Sequence, residues 1–268
     1  MRYELPKTIL GRTGLEVTRL GIGGAYCETP DGYRAALDCG VNYLDTARAY
    51  RDGDDERVVG QAIAGRRHEI ILATKSGERD AAGARKDLET SLRLLGTDYV
   101  DIWQIHYLNT ESEREQVLGP GGAMEAAVKA REQGLVRYIG VTGHEWPEVA
   151  KAVATGLFDT VLCWYNCALR EAEDLLFPEA AAQGTGVVIM NATRTDKLLN
   201  PNGVPAPEAF YRYVLGHPAV NLTVIGLRDL DRFQRVARAL SERDTLEPEE
   251  RQALEAYGAE MRADGKLG

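Results

Sequence analysis

The sequence is short of several things that would mark other classes of protein. Only four cysteines, Cys27, Cys39, Cys163 and Cys167, occur in 268 residues, without the dense spacing of a disulfide framework in a small secreted domain. Cys163 and Cys167 form a single CxxxC that lacks the second pair a structural zinc site needs, so no metal is expected. No apolar run approaches the roughly 18 residues that span a bilayer, and the opening MRYELPKTILGRTG lacks a secretory apolar stretch. A cytoplasmic protein without membrane contact is expected. Basic residues are in deficit, 32 Lys and Arg against 41 Asp and Glu for a net charge of −9. That balance opposes binding to a polyanion, so nucleic acid is not an expected partner.

What is present suffices for a large core. Hydrophobic residues make up 44% of the chain and charged ones 27%, with no compositional mark of disorder. Barrels of about 250 residues commonly form one domain, and residues 1–268 are read as one. Short β-rich runs recur, each followed by helical periodicity, which is the pattern of repeated βα units. The eight candidate strands are Thr18–Ile22, Tyr43–Asp45, Ile70–Lys75, Val100–Ile105, Tyr138–Thr142, Thr160–Cys163, Val187–Met190 and Leu222–Ile225. Between them lie amphipathic stretches such as Asp87–Leu95, with Leu88, Leu92 and Leu95 on one face. The fold class is α/β, a (β/α)8 TIM barrel. Ahead of it, TILGRTGLEVTRLGIGG reads as an N-terminal β-hairpin turning near Gly11 and Gly14, placed to plug the barrel's bottom.

Two long segments lack periodicity, Tyr107–Gly122 and Asn191–Pro207. Both follow strands, and the active site of such a barrel is built from the loops at the carboxyl ends of its strands. Those ends present Asp45, with Tyr50 five residues on, then Lys75 and His106. Singly, each has an ordinary structural role, as a turn cap, a surface ion pair or a buried histidine. Lys75, however, ends an apolar run and needs a carboxylate partner. Asp45 on the neighbouring strand is the natural one.

In this combination the sequence resembles the aldo-keto reductase family. GRTGLEVTRLGIGG is similar to the family's opening, GVNYLDTARAY with Glu56 and Gly60 to its first signature, and LLGTDYVDIWQIH and GLVRYIGVTG continue the likeness. The resemblance implies an NADP-dependent oxidoreductase that reduces an aldehyde or ketone, a small-molecule carbonyl, to the alcohol. Tyr50 would donate the proton, Lys75 would lower the tyrosine's pKa, Asp45 would hold Lys75, and His106 would orient the carbonyl.

The cofactor NADP(H) would lie against Asp45, Thr142, Gly143, Asn191, Gly226, Arg228 and Arg232. Gly21-Ile22-Gly23-Gly24 has Tyr26 where GxGxxG requires its third glycine, which speaks against a doubly wound dinucleotide domain. Arg228, Arg232 and Arg235 are spaced to place three guanidinium groups on one helix face, and the resemblance puts Arg232 on the 2′-phosphate. Thr142-Gly143 replaces the family's common Ser-Asn, Leu162 a frequent Gln, Met190 an aromatic, and Val236 an Asn that contacts adenine. A looser hold on the cofactor follows. Trp146 and Trp164 are either core or pocket wall. The charged tail EPEERQALEAYGAEMRADGKLG offers few bulky residues to close a pocket. The alternatives are a cofactor-binding sensor or partner-binding protein on the same barrel, without significant turnover, and a metal-dependent hydrolase using His106, His144 and Glu145.

Overall fold

The computed structural model describes residues 2–200 and 202–265. Two short antiparallel strands, β1 (Lys7–Ile9) and β2 (Glu16–Thr18), form the hairpin. Eight parallel strands follow: β3 (Leu20–Gly23), β4 (Tyr43–Asp45), β5 (Ile71–Ser76), β6 (Val100–Ile105), β7 (Val136–Gly143), β8 (Thr160–Trp164), β9 (Gly186–Met190) and β10 (Leu222–Gly226). They close in sequence order, with β10 returning to β3. This is the expected (β/α)8 barrel with its hairpin. The helices are α1 (Pro30–Leu37), α2 (Asp54–Ile63), α3 (Ala81–Leu95), α4 (Glu111–Leu118), α5 (Ala123–Glu132), α6 (Trp146–Ala154), α7 (Ala172–Leu175), α8 (Phe177–Gln183), α9 (Pro207–Leu215), α10 (Leu230–Glu242) and α11 (Pro248–Ala263). Among the described residues no helix is long and apolar enough to cross a membrane.

Two separate cores result. The larger lies between strands and helices; the smaller fills the barrel interior with Leu10, Leu15, Val17, Tyr43, Ala73, Ile102, Leu162, Val188, Leu222 and Val224. Leu10, Leu15 and Val17 come from the hairpin, so it does plug one end. Its turn needs glycine at position 11, which has φ +48 and whose Cβ would lie 2.3 Å from the Gly186 nitrogen.

Two expectations are corrected. The first run is not one strand through Thr18–Ile22. It breaks at Arg19, where Thr18 Oγ1 donates to the Leu20 carbonyl and the Arg19 side chain turns to Asp244 and the Leu215 carbonyl. The segment Tyr107–Gly122 is not irregular throughout but contains α4. Only Val117 of α4 is buried, so no apolar stripe announces it. A capping box supports the helix instead, Thr110 accepting from the Glu113 amide and Glu113 accepting from the Thr110 amide. The described residues of the segment Asn191–Pro207 are irregular up to the start of α9, and buried Leu198, whose carbonyl accepts the Tyr257 hydroxyl, anchors them.

Candidate active site

Side chains alternate along a strand, so the inward row of β4 runs Tyr43 then Asp45, that of β5 Ala73 then Lys75, and that of β6 Ile102 then Gln104, with His106 next in register. Pairing of Asp45 with Ala73 and of Lys75 with Gln104 sets these polar groups side by side above the apolar plug. All four are at most 3% exposed.

The Lys75 ammonium uses its three protons on Asp45 Oδ2 (2.5 Å), the Thr46 carbonyl (2.7 Å) and the Tyr50 hydroxyl (3.2 Å). Gln104 Nε2 donates to the other oxygen of Asp45 at 2.7 Å. Burial works against the Lys75 charge, but Asp45 and Tyr50 outweigh it and hold the pKa above that of an ordinary lysine. Burial also pushes the Asp45 carboxyl up while Lys75 and Gln104 pull it back. The balance leaves the Asp45 pKa above that of an ordinary aspartate, while donors on both oxygens favour the ionised carboxylate.

The expected pull of Lys75 on the Tyr50 pKa is present, but burial outweighs it. Burial raises the Tyr50 pKa, Lys75 lowers it and Asp45 raises it again, and the balance lies above the ordinary value. Burial is the chief cause, and Asp45 opposes Lys75 in the same direction as burial. Tyr50 is therefore a fully protonated hydroxyl, pointed at a cation. The His106 pKa is driven down to about 2, by burial first and then by Lys75, His144 and Arg79, so its imidazole is neutral. Its ring lies edge-on to Tyr50, centroids 5.8 Å apart.

An outer wall continues from there. His106 stacks on Tyr107 (3.8 Å), Tyr107 meets His144 edge-on (5.0 Å), His144 stacks on Trp164 (4.1 Å), and the Arg194 guanidinium lies 4.3 Å over Trp164. Trp164 thus ends a stacked row of rings, and Trp146, whose Nε1 donates to the Trp164 carbonyl at 2.9 Å, supports it. Tyr107 separates the two histidines that a metal-ligand set would have to join. Among the described residues no cluster able to hold a metal is present. Burial drives the Cys163 and Cys167 thiols up to about 12, which leaves them poor ligands.

Beside Asp45 and Tyr50 opens a cleft of about 730 Å³, counted with its mouth, running past Leu162, Met190, Asn191 and Gly226 to Arg228 and Arg232. A Cβ at Gly226 would meet the Tyr26 ring at 2.4 Å, so the glycine leaves room for that ring at the cleft. Of the expected cofactor contacts, Asp45, Asn191, Gly226, Arg228 and Arg232 all line this cleft. Thr142 and Gly143 do not. Thr142 Oγ1 accepts the Tyr107 amide at 3.1 Å, and a Cβ on Gly143 would lie 2.4 Å from Val149.

The three arginines do not share a helix face. Asp229 caps α10, leaving Arg228 outside the helix, stacked 3.9 Å over Tyr26, while Arg232 turns into the cleft and lines, together with Arg235, an adjoining groove. Val236 is fully buried at the floor of that groove.

Several residues that matter were not singled out from the sequence. Gln104 could have been, because it lies two positions before His106 on one strand face. Glu56 and Gly60, which the sequence did mark, are supports: Glu56 holds Thr74 and Arg48, and Gly60 lets α2 approach the Leu94 carbonyl, 2.6 Å from where a Cβ would sit. Asp196, paired with Arg232, gave no local signal.

Residues 28–195 match the family model described as the aldo/keto reductase family. The chain belongs to the aldo/keto reductase family. It is 30% identical over 247 residues to a 6-dehydroglucose reductase of Novosphingobium aromaticivorans, covering 78% of this chain and 79% of that protein. It is 33% identical over 196 residues to the aldo-keto reductase YhdN of Bacillus subtilis, covering 65% of this chain and 57% of that one. The match to another Bacillus subtilis relative, an uncharacterized oxidoreductase, spans 48% of its length, so the chain spans about half the length of these two relatives. The holo form of an aldo-keto reductase from Bacillus halodurans superposes with a TM-score of 0.81 at 27% identity, over 95% of this chain and 96% of that one.

Proposed function

We propose that this aldo-keto reductase is an NADP(H)-dependent oxidoreductase that reduces a small aldehyde or ketone, with Tyr50 as proton donor. The observation that carries the reading is the tetrad, in which a buried, cation-backed tyrosine lines the cleft and a neutral histidine lies edge-on to that tyrosine. The cleft also suits the cofactor. It ends at two arginines, and Arg232 Nε is buried without a partner, an arrangement that costs free energy unless an oxyanion accepts from it. Asp45 and Gly226 would border the nicotinamide end, Asn191 the middle, and Arg228 and Arg232 the phosphate end. The bound nicotinamide would supply the hydride.

The chain's own residues do the rest. Neutral His106 donates a hydrogen bond to the carbonyl oxygen and fixes its direction. Tyr50 transfers its proton to that oxygen as negative charge gathers there. Lys75, already in contact with the tyrosine oxygen, favours the tyrosinate left behind, and Asp45, steadied by Gln104, keeps the ammonium in place. A positioned general acid of this kind contributes roughly 10²–10⁴-fold in rate. The outer wall from Tyr107 to Trp164 supplies flat apolar surface for the carbonyl's substituents. A screen of aldehydes, ketones, sugars and quinones for carbonyl-dependent loss of NADPH absorbance tests the reading. Consumption with at least one class is expected, and a folded protein that binds NADPH yet reduces none of them would favour the sensor alternative.

A further inference from the structure

Arg232, the residue best placed for the cofactor's 2′-phosphate, already has a partner. Its Nη2 donates to Asp196 Oδ2 at 3.0 Å, with the arginine side chain 13% exposed. Asp196 is itself held, because Oδ1 accepts the Thr193 hydroxyl at 3.2 Å. It also closes a run of three left-handed residues, Arg194, Thr195 and Asp196, with φ of 51°, 54° and 68°. Arg194 and Thr195 disfavour that backbone, so the loop that carries Asp196 to Arg232 is not set by their local preference. A second carboxylate, Asp229, caps α10 by accepting the Arg232 amide at 2.9 Å. At this end of the cleft Arg232 is therefore paired with Asp196, while Arg228 stacks on Tyr26.

We propose that Asp196 is a specificity-determining residue, which holds Arg232 when no ligand is bound and so limits the preference for a 2′-phosphorylated dinucleotide. The inference rests on the NADP(H) reading above. A phosphate monoester carries more than one negative charge at neutral pH; to reach Arg232 it must displace Asp196 and remain beside a carboxylate of like sign. A ribose hydroxyl faces no such conflict, since it can donate to Asp196 while the ion pair stays intact. Asp196 thus weakens binding of the phosphorylated dinucleotide and favours the unphosphorylated one, and specificity is the difference between the two affinities.

Fluorescence titration of the purified protein with NADPH and with NADH, at one fixed ionic strength, tests this in the wild type, in Asp196→Asn and in Asp196→Glu. In Asp196→Asn the ratio of the NADH Kd to the NADPH Kd should rise roughly tenfold, mainly through tighter NADPH binding, as expected for releasing one charge-assisted partner. Asp196→Glu, which keeps the charge, should stay near the wild-type ratio. A purely structural role would lower the melting temperature of Asp196→Asn and leave the ratio alone. An unchanged ratio, or weaker NADPH binding in Asp196→Asn, overturns this inference only. Failure of the wild type to bind either dinucleotide overturns it together with the NADP(H) reading.

Discussion

Along β4 the inward side chain changes from Tyr43 to Asp45, along β5 from Ala73 to Lys75, and along β6 from Ile102 to Gln104. The lower members of each pair pack with Leu10, Leu15 and Val17 of the hairpin, whereas the upper members form one hydrogen-bonded cluster. Two residues of strand separate a sealed apolar end from a polar one. The seal matters to the chemistry, because it keeps water away from the underside of the Lys75–Asp45 pair. In that low-dielectric setting the pair costs much to bury and interacts strongly once buried.

The largest effect that sharpens this contrast is expected at Lys75. Lys75→Met removes the cation behind Tyr50 and strands Asp45, so turnover should fall roughly 10²–10⁴-fold and stability by about 3–5 kcal/mol. Protonation of Asp45 recovers part of the latter. Steady-state kinetics and denaturant unfolding read the two losses separately. At the other end, Leu10→Ala opens a cavity beneath the interior core. It should cost about 2–5 kcal/mol of stability while leaving kcat of the folded fraction close to wild type, and a large loss of kcat without loss of stability would break the division between the ends.

A smaller effect concerns pH. Folded His106 refuses a proton that the unfolded chain accepts near pH 6.5, so its contribution to stability is complete above that pH. It is lost as pH falls toward about 2. The slope from this residue is at most about 1.4 kcal/mol per pH unit. Unfolding curves at a series of pH values should show that slope in the wild type and less of it in His106→Gln.

Much of this was legible in the sequence, for identifiable reasons. The barrel strands are short β-rich runs at regular intervals, and the ends of β4, β5 and β6 carry chemistry that no packing role demands. Helix α4 escaped detection because it buries a single residue, and its signal was the Thr110–Glu113 capping box rather than periodicity. Counting arginines by helical spacing placed Arg228 on α10, although Asp229 is the cap and the helix starts only at Leu230. The Asp196–Arg232 pair joins residues 36 apart in sequence through a loop of left-handed backbone, and nothing local announces such a contact. The balance at Tyr50 could not be read from residue types either, since it depends on how far burial and Asp45 offset Lys75.

The central claim is that the Tyr50 hydroxyl delivers the proton, and single-turnover reduction by Tyr50→Phe tests it most directly. The substitution keeps the ring and its packing against His106 and removes one oxygen. The account predicts a folded protein with near wild-type NADPH affinity and a rate lowered roughly 10²–10⁴-fold for the best carbonyl found. Reduction at close to the wild-type rate by a folded, NADPH-binding Tyr50→Phe protein would contradict it.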